Sequence, residues 1–112
     1  MRKNCIPCNS NTPQLDPVKI SKLLVEIPDY KLLEIEGMKR ISKTYLFKNF
    51  KEALAFTNDL GKKSEEENHH PQIILEWGKV KVSWWTHSIG GLDTNDFIMA
   101  MKTEQIYNSI KG

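Results

Sequence analysis

All three histidines of the chain fall between residues 69 and 87. His69 and His70 are adjacent and precede Pro71, and His87 follows the alternating run Lys79-Val80-Lys81-Val82-Ser83-Trp84-Trp85-Thr86. Imidazole has the unperturbed pKa nearest neutrality, so a cluster of imidazoles is an economical proton-transfer site. Two carboxylates flank the window. Glu65 stands four residues before His69 and shares its helix face if a helix runs that far. A helix C-terminus at His69 would favour the protonated imidazole. Asp96 lies one short loop and one helical turn beyond His87. Several imidazoles, two carboxylates and the Gly90-Gly91 loop supply the parts for general acid–base chemistry.

Zinc is the rival chemistry, because two or three histidines with a carboxylate form a common ligand set. Adjacent residues of an extended chain point to opposite faces, so His69 and His70 chelate one ion poorly. A His-Glu-x-x-His helix is also absent. Cys5 and Cys8 form a Cys-x-x-Cys pair, which is half of a structural zinc site. A redox pair should sit at a strand-to-helix turn. This one lies in a Pro/Asn/Ser-rich leader and is expected to belong to a mobile, reduced tail.

The surrounding elements decide whether the histidines meet. Residues 1–14 read as an irregular leader. Asp16-Pro17 is an N-cap with Pro at the first helical position, and Pro28 stops the segment that follows. Tyr30 to Glu36 and Lys39 to Phe47, separated by Gly37-Met38, form a first hairpin. Phe50 to about His69 is a helix with a narrow apolar stripe, ended because Pro71 disfavours the α conformation at His70. Gln72 to Trp77 and Lys79 to Thr86 form a second hairpin. Asp93, with Asp96 three residues on, starts a last helix.

Gly78-Lys79 suits a two-residue turn with Gly first. That register pairs Trp77 with Val80, Leu75 with Val82, Ile73 with Trp84 and Glu76 with Lys81, and sets His87 opposite His70. A turn at Trp77-Gly78 sets His87 opposite Asn68 instead. In both registers the imidazoles share one end of the hairpin. Trp77 and Trp84 are expected in the core. Trp85, on the other face with Lys79 and Lys81, is an expected interface residue. The order α-β-β-α-β-β-α implies a single α+β domain, residues 15–112, with a four-stranded antiparallel sheet and helices on one face.

Bulk properties exclude other classes. A chain of 112 residues supports one modest core. A net charge of +2 with both signs interspersed leaves no electrostatic footprint for nucleic acid. No apolar run approaches membrane-spanning length, and the basic start lacks the apolar stretch of a signal peptide. The expected location is the cytoplasm.

At Glu65-Glu66-Glu67-Asn68-His69-His70-Pro71 the chain resembles the pterin-4a-carbinolamine dehydratases. That family carries Glu-x-x-x-His-His-Pro at the end of a long helix. A strand ending in Thr-His, a small-residue loop and a helix with an early Asp follow, here Thr86-His87, Gly90-Gly91-Leu92 and Asp96. Phe47 to Phe56 fits the start of the same helix. The resemblance covers about residues 15–110. An aromatic residue often found just after His-His-Pro is absent, since Gln72 and Ile73 stand there.

The resemblance implies dehydration of a 4a-hydroxytetrahydropterin to a quinonoid dihydropterin, in recycling the tetrahydropterin cofactor of aromatic amino acid hydroxylases. It implies no metal and no bound cofactor. His69 and His87 would be the proton-transfer pair and His70 would bind and orient the pterin. Glu65 and Asp96 would orient or charge-stabilise the imidazoles, with Pro71 and Thr86 at the substrate. It also implies a homotetramer or homodimer and a functional link to a hydroxylase. The alternative is a non-catalytic binding protein, since animal members of the family act as dimerisation cofactors for a transcription factor.

Overall fold

The computed structural model describes residues 4–7 and 11–111. Asp16 caps helix α1, Pro17–Leu24, by accepting from the Lys19 N–H at 2.8 Å, and Pro17 at the first position is already set for helical φ. Strands β1, Lys31–Ile35, and β2, Met38–Leu46, follow. Their turn is Glu36-Gly37, one residue earlier than expected, with φ of 53° and 78°. Positive φ at both positions is the turn geometry that matches the twist of a hairpin, and Gly carries it without strain. Helix α2, Phe50–Glu67, is capped by Asn49, whose side chain accepts from the Glu52 N–H. Strands β3, Gln72–Glu76, and β4, Lys79–Trp84, precede a short 3₁₀ turn, His87–Ile89, and helix α3, Thr94–Lys111.

The sheet is antiparallel in the order β1-β2-β4-β3. Its register puts Ile41, Tyr45, Val80, Val82 and Trp84 on the face that α2 and α3 cover. All five are buried together with Phe56, Leu60, Phe97 and Met99. The architecture is the α+β layer arrangement that the order of elements implies. The core lies between the sheet and the helices, and the opposite sheet face carries Leu33, Arg40, Ser42, Thr44, Ile74 and Lys81.

The second hairpin takes the other of the two registers. Glu76 pairs with Lys79, Leu75 with Val80 and Ile73 with Val82, so the turn is Trp77-Gly78. The Phe47 N–H bonds the Gly78 carbonyl at 2.8 Å, and a Cβ on Gly78 would stand 3.1 Å from the Phe47 carbonyl oxygen. The chain leaving β2 therefore fixes Gly78 inside the turn. Compared with the Gly78-Lys79 register the pairing moves by two residues, which keeps every side chain on its face. Trp77 alone changes surroundings. It is 70% exposed at the turn rather than in the core, whereas Trp84 is buried as expected. Trp85 is also corrected: it is 8% exposed, with the Arg40 guanidinium 3.8 Å above its ring.

Candidate active site

The end of α2 places the histidine pair. Asn68 adopts the left-handed conformation with φ 51° and ψ 43°. Its N–H bonds the Glu65 and Ser64 carbonyls, and the His69 N–H bonds the Ser64 carbonyl at 3.1 Å. This is the reversal that satisfies the last carbonyls of a helix, and Asn is among the few non-glycine residues that enter it easily. The helix thus stops before His69, and the expected Glu65–His69 face is not formed. His69 turns inward and His70 outward. His70 Nε2 instead contacts Glu65 Oε2, with both side chains more than half exposed.

His69 meets Asp96. Its Nε2 lies 2.7 Å from Asp96 Oδ1, and its ring runs nearly parallel to that of Trp84, 10° between planes. Asp96 is fully buried. Its Oδ2 accepts from the Thr86 hydroxyl and from the Asp93 N–H, each at 2.9 Å. The Asn95 N–H in turn bonds Asp93 Oδ2, so the start of α3 is a reciprocal cap built around the same carboxylate. Burial pushes the Asp96 carboxyl up from the ordinary range, while His69, the Asp93 N–H and the Thr86 hydroxyl draw it back.

His87 opens the 3₁₀ turn and is exposed, its ring 4.6 Å from that of Trp85. The loop beyond it is not loose. Thr86 bridges Gly91, Gly90 takes a left-handed φ of 64°, and the Leu15 N–H bonds the Leu92 carbonyl at 2.9 Å. A Cβ on Gly91 would collide with the Gln14 side chain, whose Nε2 bonds the Ile89 carbonyl.

His69, His70, His87 and Thr86 line one pocket of about 310 Å³. Glu65 stands behind His70 and Asp96 behind His69. Pro71 leads the chain into β3 and is not among the lining residues. Within reach of solvent are one imidazole with a buried carboxylate partner, one with an exposed partner, and a third at the mouth. Such a set can donate one proton and accept another. No three His, Cys, Asp or Glu side chains among the described residues are grouped to hold a metal ion.

Sequence reasoning misses part of the lining: Glu67, Asn68, Ser88, Asn95 and Cys5 to Pro7. The expectation of a mobile leader is corrected at Cys5, which is half-buried and whose N–H bonds Glu67 Oε1 at 3.0 Å. Cys8 lies outside the described residues. Only Asn68 carries a signal, an Asn where a helix must reverse before two histidines.

A family model described as pterin 4 alpha carbinolamine dehydratase matches residues 13–106. A protein of Microcystis aeruginosa, provisionally named a pterin-4-alpha-carbinolamine dehydratase, is 50% identical over 106 residues, 95% of this chain and 91% of its own. One of Marinobacter nauticus with the same provisional name is 44% identical over 95% and 96% of the two chains. The crystal structure of a Brucella melitensis protein, described as a transcriptional coactivator/pterin dehydratase, superposes with a TM-score of 0.77 at 25% identity. It covers 85% of this chain and 99% of its own. The histidine pair, Thr86-His87 and Asp96 all fall inside the matched span, and the chain belongs to the pterin-4a-carbinolamine dehydratase family.

Proposed function

We propose that this protein dehydrates a 4a-hydroxytetrahydropterin to a quinonoid dihydropterin and water. The observation that carries the reading is the convergence of three imidazoles on one pocket, one of them anchored to a buried carboxylate. As the C4a–O bond breaks, the lone pair of the neighbouring ring nitrogen forms a C=N bond. The leaving hydroxyl takes a proton from an acid, and that ring nitrogen gives its own proton to a base. The net product is water, with no change in oxidation state and no need for a metal or bound cofactor.

His69 and His87 are the proton-transfer pair in this scheme. An ionised Asp96 accepting from His69 Nε2–H fixes one tautomer and leaves Nδ1 as the nitrogen with a lone pair. His87 at the exposed mouth can exchange its proton with solvent between turnovers. His70, steadied by Glu65, orients the pterin. Thr86 acts through Asp96, and Pro71 sets the direction of the chain after the pair. In the cell the reaction would recycle the tetrahydropterin of an aromatic amino acid hydroxylase, in the cytoplasm and in a homo-oligomer.

The test is acceleration of dehydration of a freshly generated 4a-hydroxytetrahydropterin by the purified chain over the spontaneous rate. Saturable acceleration is expected. Its absence would leave the family's second role, a protein-binding cofactor, in keeping with the description of the Brucella melitensis protein as a transcriptional coactivator.

A further inference from the structure

We infer that Cys5 to Pro7 form a strap, latched by Asn95 and Glu67, that completes the substrate pocket and sets how tightly the substrate is held. This rests on the dehydratase reading for the identity of the substrate, but not for the existence of the strap.

The latch is a two-point clamp on a peptide backbone. Asn95 Oδ1 accepts from the Ile6 N–H at 2.9 Å, and Asn95 Nδ2 donates to the Ile6 carbonyl at 2.6 Å. A side-chain amide that satisfies both backbone groups of one residue imitates the pairing of a neighbouring strand. Asn95 is 2% exposed, so its amide is not shared freely with water. A third bond joins the Cys5 N–H to Glu67 Oε1, and Lys102 Nζ stands 3.8 Å from Glu67 Oε2. Glu67 ends α2 and Asn95 lies in the first turn of α3, so the strap spans the two helix ends that also carry the Asn68 reversal and Asp96.

The placement gives the strap a binding role rather than a proton-transfer role. Cys5, Ile6 and Pro7 line the same pocket as His69, His70 and His87. They add an apolar side to a pocket whose other walls are imidazole, hydroxyl, amide and the Glu67 carboxylate. A flat heterocycle with polar edges needs such a surface against its plane. Ordering the segment costs backbone entropy, which the hydrogen bonds to Asn95 and Glu67 help to offset. The strap is closed over the pocket in this arrangement, held by Asn95 and Glu67.

The experiment uses the full chain carrying Cys8→Ser, which leaves Cys5 as the only thiol reporter. Ile6→Pro removes the N–H held by Asn95, and Asn95→Ala removes both points of the clamp. Two readouts are taken: KM and kcat with a 4a-hydroxytetrahydropterin, and the alkylation rate of Cys5 with and without a stable 7,8-dihydropterin. The strap predicts that both variants raise KM severalfold while kcat stays near the parent value. It predicts faster alkylation in both variants, and protection of Cys5 by the dihydropterin in the parent. Unchanged KM and unchanged alkylation would overturn it. Faster alkylation in the variants, with no protection by the pterin and no turnover in the parent, would mean that the strap is latched but the dehydratase reading is wrong; that outcome overturns the strap's substrate role.

Discussion

Asp96 uses both carboxylate oxygens, one on His69 and the other on Thr86 and the Asp93 N–H. Asp96→Asn should therefore change chemistry more than shape. The new amide oxygen still accepts from Thr86 and Asp93, but its NH₂ donates to His69 Nε2 and forces the proton to Nδ1. A dehydration rate lower by about 10²-fold or more is expected from that wrong tautomer, in a variant that folds normally. Stability supplies an independent check. Burial raises the folded-state pKa of Asp96 above the unfolded value of about 3.9. Its stabilising contribution is thus complete below the unfolded value and is lost as pH rises through the folded one. The melting-temperature difference between wild type and Asp96→Asn should move in favour of wild type as pH falls from neutral into the mildly acidic range. Movement in the other direction would mean that the His69 contact outweighs burial. Of the residue-level picture, the imidazole cluster and Asp96 are readable from spacing alone. The exchange of partners, Asp96 for His69 and Glu65 for His70, is not. It depends on a helix ending two residues before His69, and periodicity does not mark helix ends that finely.

At the scale of elements, the reversal at Asn68 does most to aim the site. It ends α2, turns His69 to Asp96 and leaves His70 beside Glu65. Asn68→Gly should keep stability and turnover near wild type, because Gly takes positive φ without a Cβ penalty. Asn68→Val places a β-branched residue at φ 51°, at a cost of about 1–2 kcal/mol. In a domain of this size each kcal/mol lowers Tm by roughly 4–8 °C, so calorimetry separates the two variants. Turnover should fall with Tm in Asn68→Val, and retention of both would show that the left-handed cap is dispensable. The hairpins teach a related lesson about legibility. Strand identity and facing are set by alternation, which survives a two-residue change of register. The turn at Trp77-Gly78 is decided by Phe47, thirty-one residues before Gly78 in sequence, whose backbone grips the Gly78 carbonyl. A contact of that range leaves no trace in the turn dipeptide. The docking of the leader is illegible for the same reason: its partners, Glu67 and Asn95, lie far along the chain.

For the whole molecule, the helices cover one sheet face and leave the other with Ile35, Leu46 and Ile74 exposed among Lys79, Lys81 and Glu76. The expected assembly is a homotetramer built as a dimer of dimers, with that face meeting its own copy about a two-fold axis. Light scattering at micromolar concentration should give a mass of several chains, and a mass of 13.0 kDa would contradict the assembly. No helix among the described residues is long and apolar enough to cross a membrane. Activity should survive exhaustive chelation, because the scheme moves only protons; loss on chelation with rescue by zinc would replace it with metal chemistry. The central claim is that the pocket imidazoles carry dehydration, and it is tested most directly by the catalysed rate of wild type, His69→Ala and His87→Ala on one 4a-hydroxytetrahydropterin, alongside their melting curves. Each single variant should lose about 10²-fold or more in kcat, the range for removing a general acid or base, while melting like a folded protein. Wild-type turnover in a folded His87→Ala or His69→Ala variant would contradict the account.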